Sequence, residues 1–309
     1  MKQALALCSL ALNPVAPSPT ASMVKVDDGF MVAYGGTFCI RVPMKVEVGA
    51  CFSPTVVATF FRKERKAVSY TLHKKKLVLQ EGKEKLSVPF LPPDEMPTLD
   101  VLSNPHKVTF DTTYLKIAVD VVDPAHIKLC AQGVQFRYGM LEATNGRCIV
   151  GAKTGFDEEL EFNLPVASAK ALLRFKSEVV GIAQDQSAVK FIFADGSSLT
   201  SLLICEELIE TTQYYRGEWT PLKLKSEIAK DLLSIDCDDV IFYGGNATYI
   251  KDTAEGELSS ACGKDFDIKV SKENLDVMLK VSADVRLSED KNRLMAVGEK
   301  CRVVSVVKR

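Results

Sequence analysis

The sequence predicts an α+β protein made of three repeats of one unit, each unit two short helices packed on antiparallel sheets. Two observations carry this reading. Three similar helical segments recur at intervals close to one third of the 309-residue chain. Each is followed by runs that alternate apolar and polar residues, the pattern of strands with one buried and one wet face. Self-similarity at a fixed long period marks a repeat architecture. The units are read as 1–100, 101–207 and 208–309.

The elements follow in order. A first amphipathic helix is predicted over 2–12, ended by Asn13-Pro14. A lysine ahead of a short apolar stretch also suggests a signal peptide, but one base and no clear cleavage site favour the helix. The recurring helical segments are Phe52–Lys63, Leu164–Arg174 and Val270–Lys280. Each opens on a Pro or Ser start signal and closes on bulky apolar residues followed by a base. Strands then follow, as in Val68-Ser69-Tyr70-Thr71-Leu72, Val189-Lys190-Phe191-Ile192-Phe193 and Val285-Arg286-Leu287. Further helices are predicted over 111–122 and 223–234. Within the units a weaker echo relates Ala33-Tyr34-Gly35-Gly36 to Ala143-Thr144-Asn145-Gly146, and then to Gly256. Linkers are expected at Leu91–Pro97 and Glu206–Pro221.

Composition fits a globular protein, with 47% hydrophobic and 26% charged residues. No apolar run approaches the ~20 residues that a membrane helix requires, so no membrane partner is expected. A net charge of −1 does not exclude DNA, because net charge says little about where charge is placed. The nine cysteines stand singly, with no C-x-x-C. They read as buried, reduced thiols of a cytoplasmic protein.

Catalytic signatures are missing. There is no phosphate-binding G-x-x-x-x-G-K-[ST] loop, no G-x-S-x-G elbow and no H-E-x-x-H. The three histidines, His73, His106 and His126, and acidic runs such as Asp236-Cys237-Asp238-Asp239 read as ordinary surface or core groups. No enzyme activity, cofactor or metal is expected. What does recur is basic residues on short helices, such as Lys170 with Arg174, where a nearby anion would relieve like charges.

The stretch Lys76–Val88 leading into Leu91-Pro92-Pro93-Asp94-Glu95-Met96-Pro97 resembles the end of the first domain in bacterial DNA polymerase III beta subunits. Ala143-Thr144-Asn145-Gly146-Arg147-Cys148-Ile149 resembles that family's Ala-Thr-Asp-Gly-His-Arg-Leu motif, and Arg302–Arg309 occupies the place of its tail. The resemblance spans nearly the whole chain, in a short and divergent form of the kind suited to a phage or plasmid replicon. Its departures include Ser18 for a loop arginine, Leu129 and Cys130 at a tyrosine pair, and a tail without Met-Pro-Met.

The resemblance implies a sliding clamp: three clamp-type domains per chain, two chains closing head to tail into a ring around double-stranded DNA. The chain would tether a DNA polymerase and be loaded by a separate clamp loader ATPase. The alternatives are a clamp-fold binding protein that forms no ring, and an enzyme with an unusual site. The implied DNA-facing bases are Lys116, Lys128, Lys170, Arg174, Lys225, Lys230 and Lys272, with Arg62 and Lys63 as further candidates. The implied partner-peptide site is Leu129, Thr144, Gly146, Arg147, Cys148, Ile149, Thr220, Val304, Ser305, Val306 and Val307. The homodimer contact falls on Leu86 and Val88 against Leu232 and Leu233.

Overall fold

The computed structural model describes residues 1–15, 18–46, 48–65, 68–100, 104–155, 159–263 and 266–307; of the predicted tail, Lys308 and Arg309 lie outside them. One pattern of elements runs three times. The first copy is helix α1 (Lys2–Cys8), strands β1 (Val24–Asp27), β2 (Phe30–Tyr34), β3 (Phe38–Pro43) and β4 (Ala50–Phe52), helix α2 (Pro54–Phe60), and strands β5 (Ser69–His73), β6 (Lys76–Glu81) and β7 (Glu84–Pro89). The second is β8 (His106–Lys107), α3 (Thr113–Val121), β9 (Gly133–Arg137), β10 (Met140–Thr144), β11 (Cys148–Lys153), β12 (Phe162–Pro165), α4 (Val166–Leu172), β13 (Val179–Gln184), β14 (Ala188–Phe193) and β15 (Ser198–Leu202). The third is β16 (Trp219–Pro221), α5 (Ser226–Ser234), β17 (Asp239–Tyr243), β18 (Asn246–Lys251), β19 (Ala254–Leu258), β20 (Asp267–Ser271), α6 (Lys272–Val281), β21 (Val285–Ser288), β22 (Arg293–Val297) and β23 (Cys301–Val306).

All six predicted helices form. Pro54 opens α2 in the first turn, where its missing N–H costs nothing. The repeat is also written in the first hairpin of each copy. Asp28-Gly29, Tyr138-Gly139 and Gly244-Gly245 all have positive φ and join β1 to β2, β9 to β10 and β17 to β18. A two-residue turn with both φ positive matches the twist of the strands it joins. The predicted echo at Gly256 does not hold, because Gly256 lies inside β19, paired with Tyr249.

By contacts the chain forms two compact units, Met1–Phe110 with Ala167–Leu203, and Asp111–Val166 with Ile204–Arg309. The predicted segment 101–207 is shared between them, and the reason is hydrogen bonding. In the first unit β3 pairs antiparallel with β15, giving an eight-stranded sheet in the order β4-β1-β2-β3-β15-β14-β13-β8. In the second, β11 pairs with β23, giving β12-β9-β10-β11-β23-β22-β21-β16. Each sheet joins four strands of one repeat to the closing strands of the next. Smaller sheets remain: β5-β6-β7 in the first unit and β19-β18-β17-β20 in the second.

Helices cover one face of each large sheet. In the first unit α1 lies on β2 and β3; in the second, α3 lies on β10 and β11, and α6 on β22 and β23. Phe52, Phe136 and Phe191 are fully buried on the large sheets, and Phe242 on the four-stranded one. Each such burial is worth ~1.5–3 kcal/mol relative to exposure. Among the described residues no disulfide forms; Cys205 is exposed, Cys262 half-buried and the other cysteines buried. Among the described residues no helix is long and apolar enough to cross a membrane.

Candidate partner-binding site

On the sheet face of the second unit away from α3 and α6, the segment 204–215 crosses the strands one after another. The Ile204 N–H donates to the Asn163 carbonyl at 3.0 Å, and the Ile209 N–H to Gln135 Oε1 at 3.0 Å. Arg137 Nη2 donates to the Ile209 carbonyl at 3.1 Å, Thr211 Oγ1 donates to Glu142, and Arg293 Nη1 donates to the Tyr214 carbonyl at 3.2 Å. The crossing thus runs from β12 and β9 over β10 to β22. Tyr215 lies over Gly151, and its buried hydroxyl finds no hydrogen-bond partner among the described residues. Burial above all, with Glu142 beside it, drives that phenol far above its usual pKa.

Beside this segment is a cavity of about 350 Å3. Its floor follows from strand parity, since alternate residues share a face. Thr144 pairs with Ile149, Ile149 with Val304, and Val306 with Arg293, so these side chains emerge together. The β10–β11 turn closes one end. Asn145 Oδ1 accepts from the N–H groups of Arg147 at 2.9 Å and Cys148 at 2.7 Å, and Thr144 Oγ1 donates to the Cys148 carbonyl at 2.9 Å. Gly146, at φ 82°, completes the turn against His126. Asn145 therefore holds the turn in the way an aspartate would.

Six of the predicted peptide-site residues line this cavity: Thr144, Gly146, Arg147, Ile149, Val304 and Val306. The others are placed elsewhere. Cys148 and Ser305 pair with each other on the helix-covered face and are fully buried, and burial pushes the Cys148 thiol up to about 12. Leu129 is 52% exposed in a short turn beside the cavity and does not line it. Val307 lies just past β23 and Thr220 on edge strand β16, both off the cavity. Sequence reading missed His126, Ala131, Ile209, Tyr214 and Arg293, and assigned Lys128 to DNA although it lines this cavity. Arg293 was within reach of a parity argument from Val306. Ile209 and Tyr214 were not, because only the crossing brings them here.

On the first unit's sheet Cys39 and Thr200 stand where Ile149 and Val304 do and line a cavity of about 200 Å3. Tyr34 stands where Thr144 does, paired with Cys39, and its hydroxyl donates to the Gly36 carbonyl at 3.2 Å. Arg41 takes the position of Gly151 and stacks on Phe30 at 3.7 Å.

Of the predicted DNA-facing bases, Lys116, Lys170, Arg174, Lys225 and Lys230 are exposed, with no ion pair to another described residue. Lys272 differs. It is buried, and its ammonium donates to both Asp276 carboxylate oxygens at 2.7 and 2.8 Å. Arg62, Lys63 and Lys128 are exposed. Val88 is buried and Leu86 half-buried on edge strand β7. On α5 Leu232 is fully buried in its own core, whereas Leu233 is 39% exposed.

No protein-family model matches the sequence, and no curated protein sequence matches it. Solved structures do. A Helicobacter pylori beta clamp bound to a DNA ligase peptide aligns at a TM-score of 0.82 and 14% identity, covering 100% of this chain and 97% of that one. This chain has the beta-clamp fold. The beta subunit from DNA polymerase of Streptococcus pyogenes aligns over the same shares at 0.82, and the DNA polymerase III subunit beta from Pseudomonas aeruginosa at 0.79, each at 14% identity. The threefold order of helix, four strands, helix and three strands is how this sequence writes the clamp fold.

Proposed function

We propose that the chain is a DNA polymerase sliding clamp, a non-catalytic ring of two copies around duplex DNA. Its working parts would be the three repeats 1–100, 101–207 and 208–309. The observation that carries this reading is a pair of unfinished sheets. Strands β19-β18-β17-β20 repeat the first half of each eight-stranded sheet, and β5-β6-β7 repeat the second half. In the complete sheets the joint is β3 with β15 and β11 with β23, so the matching joint is β19 with β7.

Open edges invite a second chain, and a closed ring removes them. Charge favours the match. Glu255 and Glu257 lie on β19 and Lys85 on β7. Leu86 and Val88 would extend the core beneath, while exposed Leu233 of α5 and exposed Val56 of α2 supply further apolar contact. Leu232 supports the joint from within its own unit.

The exposed bases Lys116, Lys170, Arg174, Lys225 and Lys230 would meet phosphates without reading sequence, which suits sliding. Lys128 and Lys272 are weaker candidates. The cavity at Ile149 would take an apolar side chain of the polymerase or of a loader ATPase, in the cytoplasm. It has the size and the mixed apolar and polar lining of a binding site. The H. pylori clamp carries a DNA ligase peptide, which supports peptide binding here by analogy.

Light scattering of the purified chain, followed by retention on nicked circular DNA and release on linearisation, tests the proposal. A dimer that stays on circles and slides off cut DNA is expected. A monomer without topological retention would instead favour a clamp-fold binding protein that forms no ring.

A further inference from the structure

A second cavity, of about 490 Å3, lies on the same sheet face beyond the crossing segment. Strand parity ties it to the first. On β11, Ile149 faces the first cavity and Lys153 the second; on β23, Val304 faces the first and Arg302 the second. Tyr214 and Tyr215, adjacent in the crossing segment, wall one cavity each.

The second cavity has bases to spare. Lys153, Lys300 and Arg302 are exposed and make no ion pair with another described residue. Its buried carboxylate is already engaged, since Glu142 lies 3.4 Å from Arg137 Nε and accepts from Thr211. Among the described residues one Glu142 oxygen and the Tyr215 hydroxyl remain buried without a hydrogen bond, and Glu299 is the one other acid in the lining. The first cavity is lined by His126, Lys128, Arg147 and Arg293, the last paired with Asp290 at 3.8 Å, and among the described residues by no carboxylate. The cationic lining therefore runs on from one cavity to the other.

We propose that the partner segment whose apolar side chain enters the first cavity carries an acidic stretch that seats in the second. This rests on the partner-site reading above and adds the chemistry and direction of the ligand. Lys153 is four strand positions from Ile149, about 13 Å at the usual rise. An extended peptide covers that with about four residues, and passing over the crossing segment takes a few more. Carboxylates would then form charge-assisted hydrogen bonds with Lys153 and Arg302.

The test is an anisotropy titration of the full chain at about 0.15 M salt, near physiological screening, with about five labelled peptides. One carries a Leu-Phe anchor alone. The others add, at either end, a Gly-Ser spacer and four glutamates or four lysines. The glutamate tail is expected to tighten binding about tenfold, the scale of one or two such contacts, and the lysine tail to weaken it. Lys153→Glu with Arg302→Glu should erase the gain, with the thermal midpoint confirming that the variant folds. A glutamate tail without effect at both ends, or a gain that survives the double variant, overturns the proposal. A tetraglutamate peptide without an anchor separates the two readings. If the anchor peptide fails to bind while tetraglutamate still binds through Lys153 and Arg302, the first-cavity reading falls and the acidic site stands. If the anchor binds and tetraglutamate ignores the double variant, the reverse holds.

Discussion

A Cβ on Gly151 would meet the phenol oxygen of Tyr215 at 2.6 Å. A side chain at residue 151 would push the Tyr215 phenol off the sheet. Gly151→Ala should therefore lift Tyr215, cost ~1–3 kcal/mol as overpacking does, and loosen the wall that Tyr214 gives the first cavity. Tyr215→Phe removes an unpartnered buried hydroxyl and is expected to be neutral or slightly stabilising. Denaturant midpoints of the two variants check both signs.

Ile149 forms the cavity floor at 9% exposure. Ile149→Asp places a carboxylate among Val304 and its neighbours and should reduce binding of a Leu- or Phe-anchored polymerase peptide at least tenfold, the effect of ~1.4 kcal/mol. Val304 is a stiff wall beside Ile149, so the cognate polymerase peptide should bind better than a common bacterial one. Equal affinity of wild type and Ile149→Asp for the cognate peptide would place the site elsewhere.

The proposed joint of β19 with β7 predicts a charge swap. Glu257→Lys should weaken the dimer, Lys85→Glu should do the same, and the two together should restore it in part, read as mass by sedimentation. Leu233→Asp, in an exposed position of α5, should give a folded monomer, because an unpaired carboxylate buried in the joint costs several kcal/mol.

Lys170→Ala with Arg174→Ala should shorten retention on circular DNA and flatten its salt dependence by about two phosphate contacts. Lys272→Ala should act otherwise. Its ammonium is committed to Asp276, so the loss should appear in stability while the salt slope stays unchanged.

Burial raises the Cys39 and Cys51 thiols to about 11 and those of Cys148 and Cys301 to about 12. A thiol raised on folding keeps its full stabilising effect below the unfolded value near 9. Above it the unfolded chain sheds protons first, so stability falls as pH rises from about 9 toward 11 or 12. Each such thiol contributes about 1 kcal/mol per pH unit. Chemical denaturation between pH 8 and 10 should show the decline, and exposed Cys205 should be the first alkylated.

Much of this molecule was legible early. Pro54 at the head of α2 and the alternation through Val189–Phe193 are local signals, and local signals give helices and strands. The turn at Ala143–Ile149 was also legible, because Asn145 and Gly146 are chosen by the backbone conformation of that turn. Cys148 and Ser305 failed as cavity residues for a parity reason. They sit next to Ile149 and Val304 in sequence, and in a strand the next residue faces the opposite way.

The sequence by itself determined the threefold repeat and the six helices, since periodicity and turn chemistry act over a few residues. Only the tertiary structure decided that sheets are shared between repeats, that Lys272 turns inward to Asp276, and that Tyr214 and Tyr215 come to lie on strands some sixty residues away. Those outcomes depend on which strand edges hydrogen-bond and on the room that Gly151 leaves above its sheet. Such choices are made between distant segments, where sequence spacing carries no record of contact.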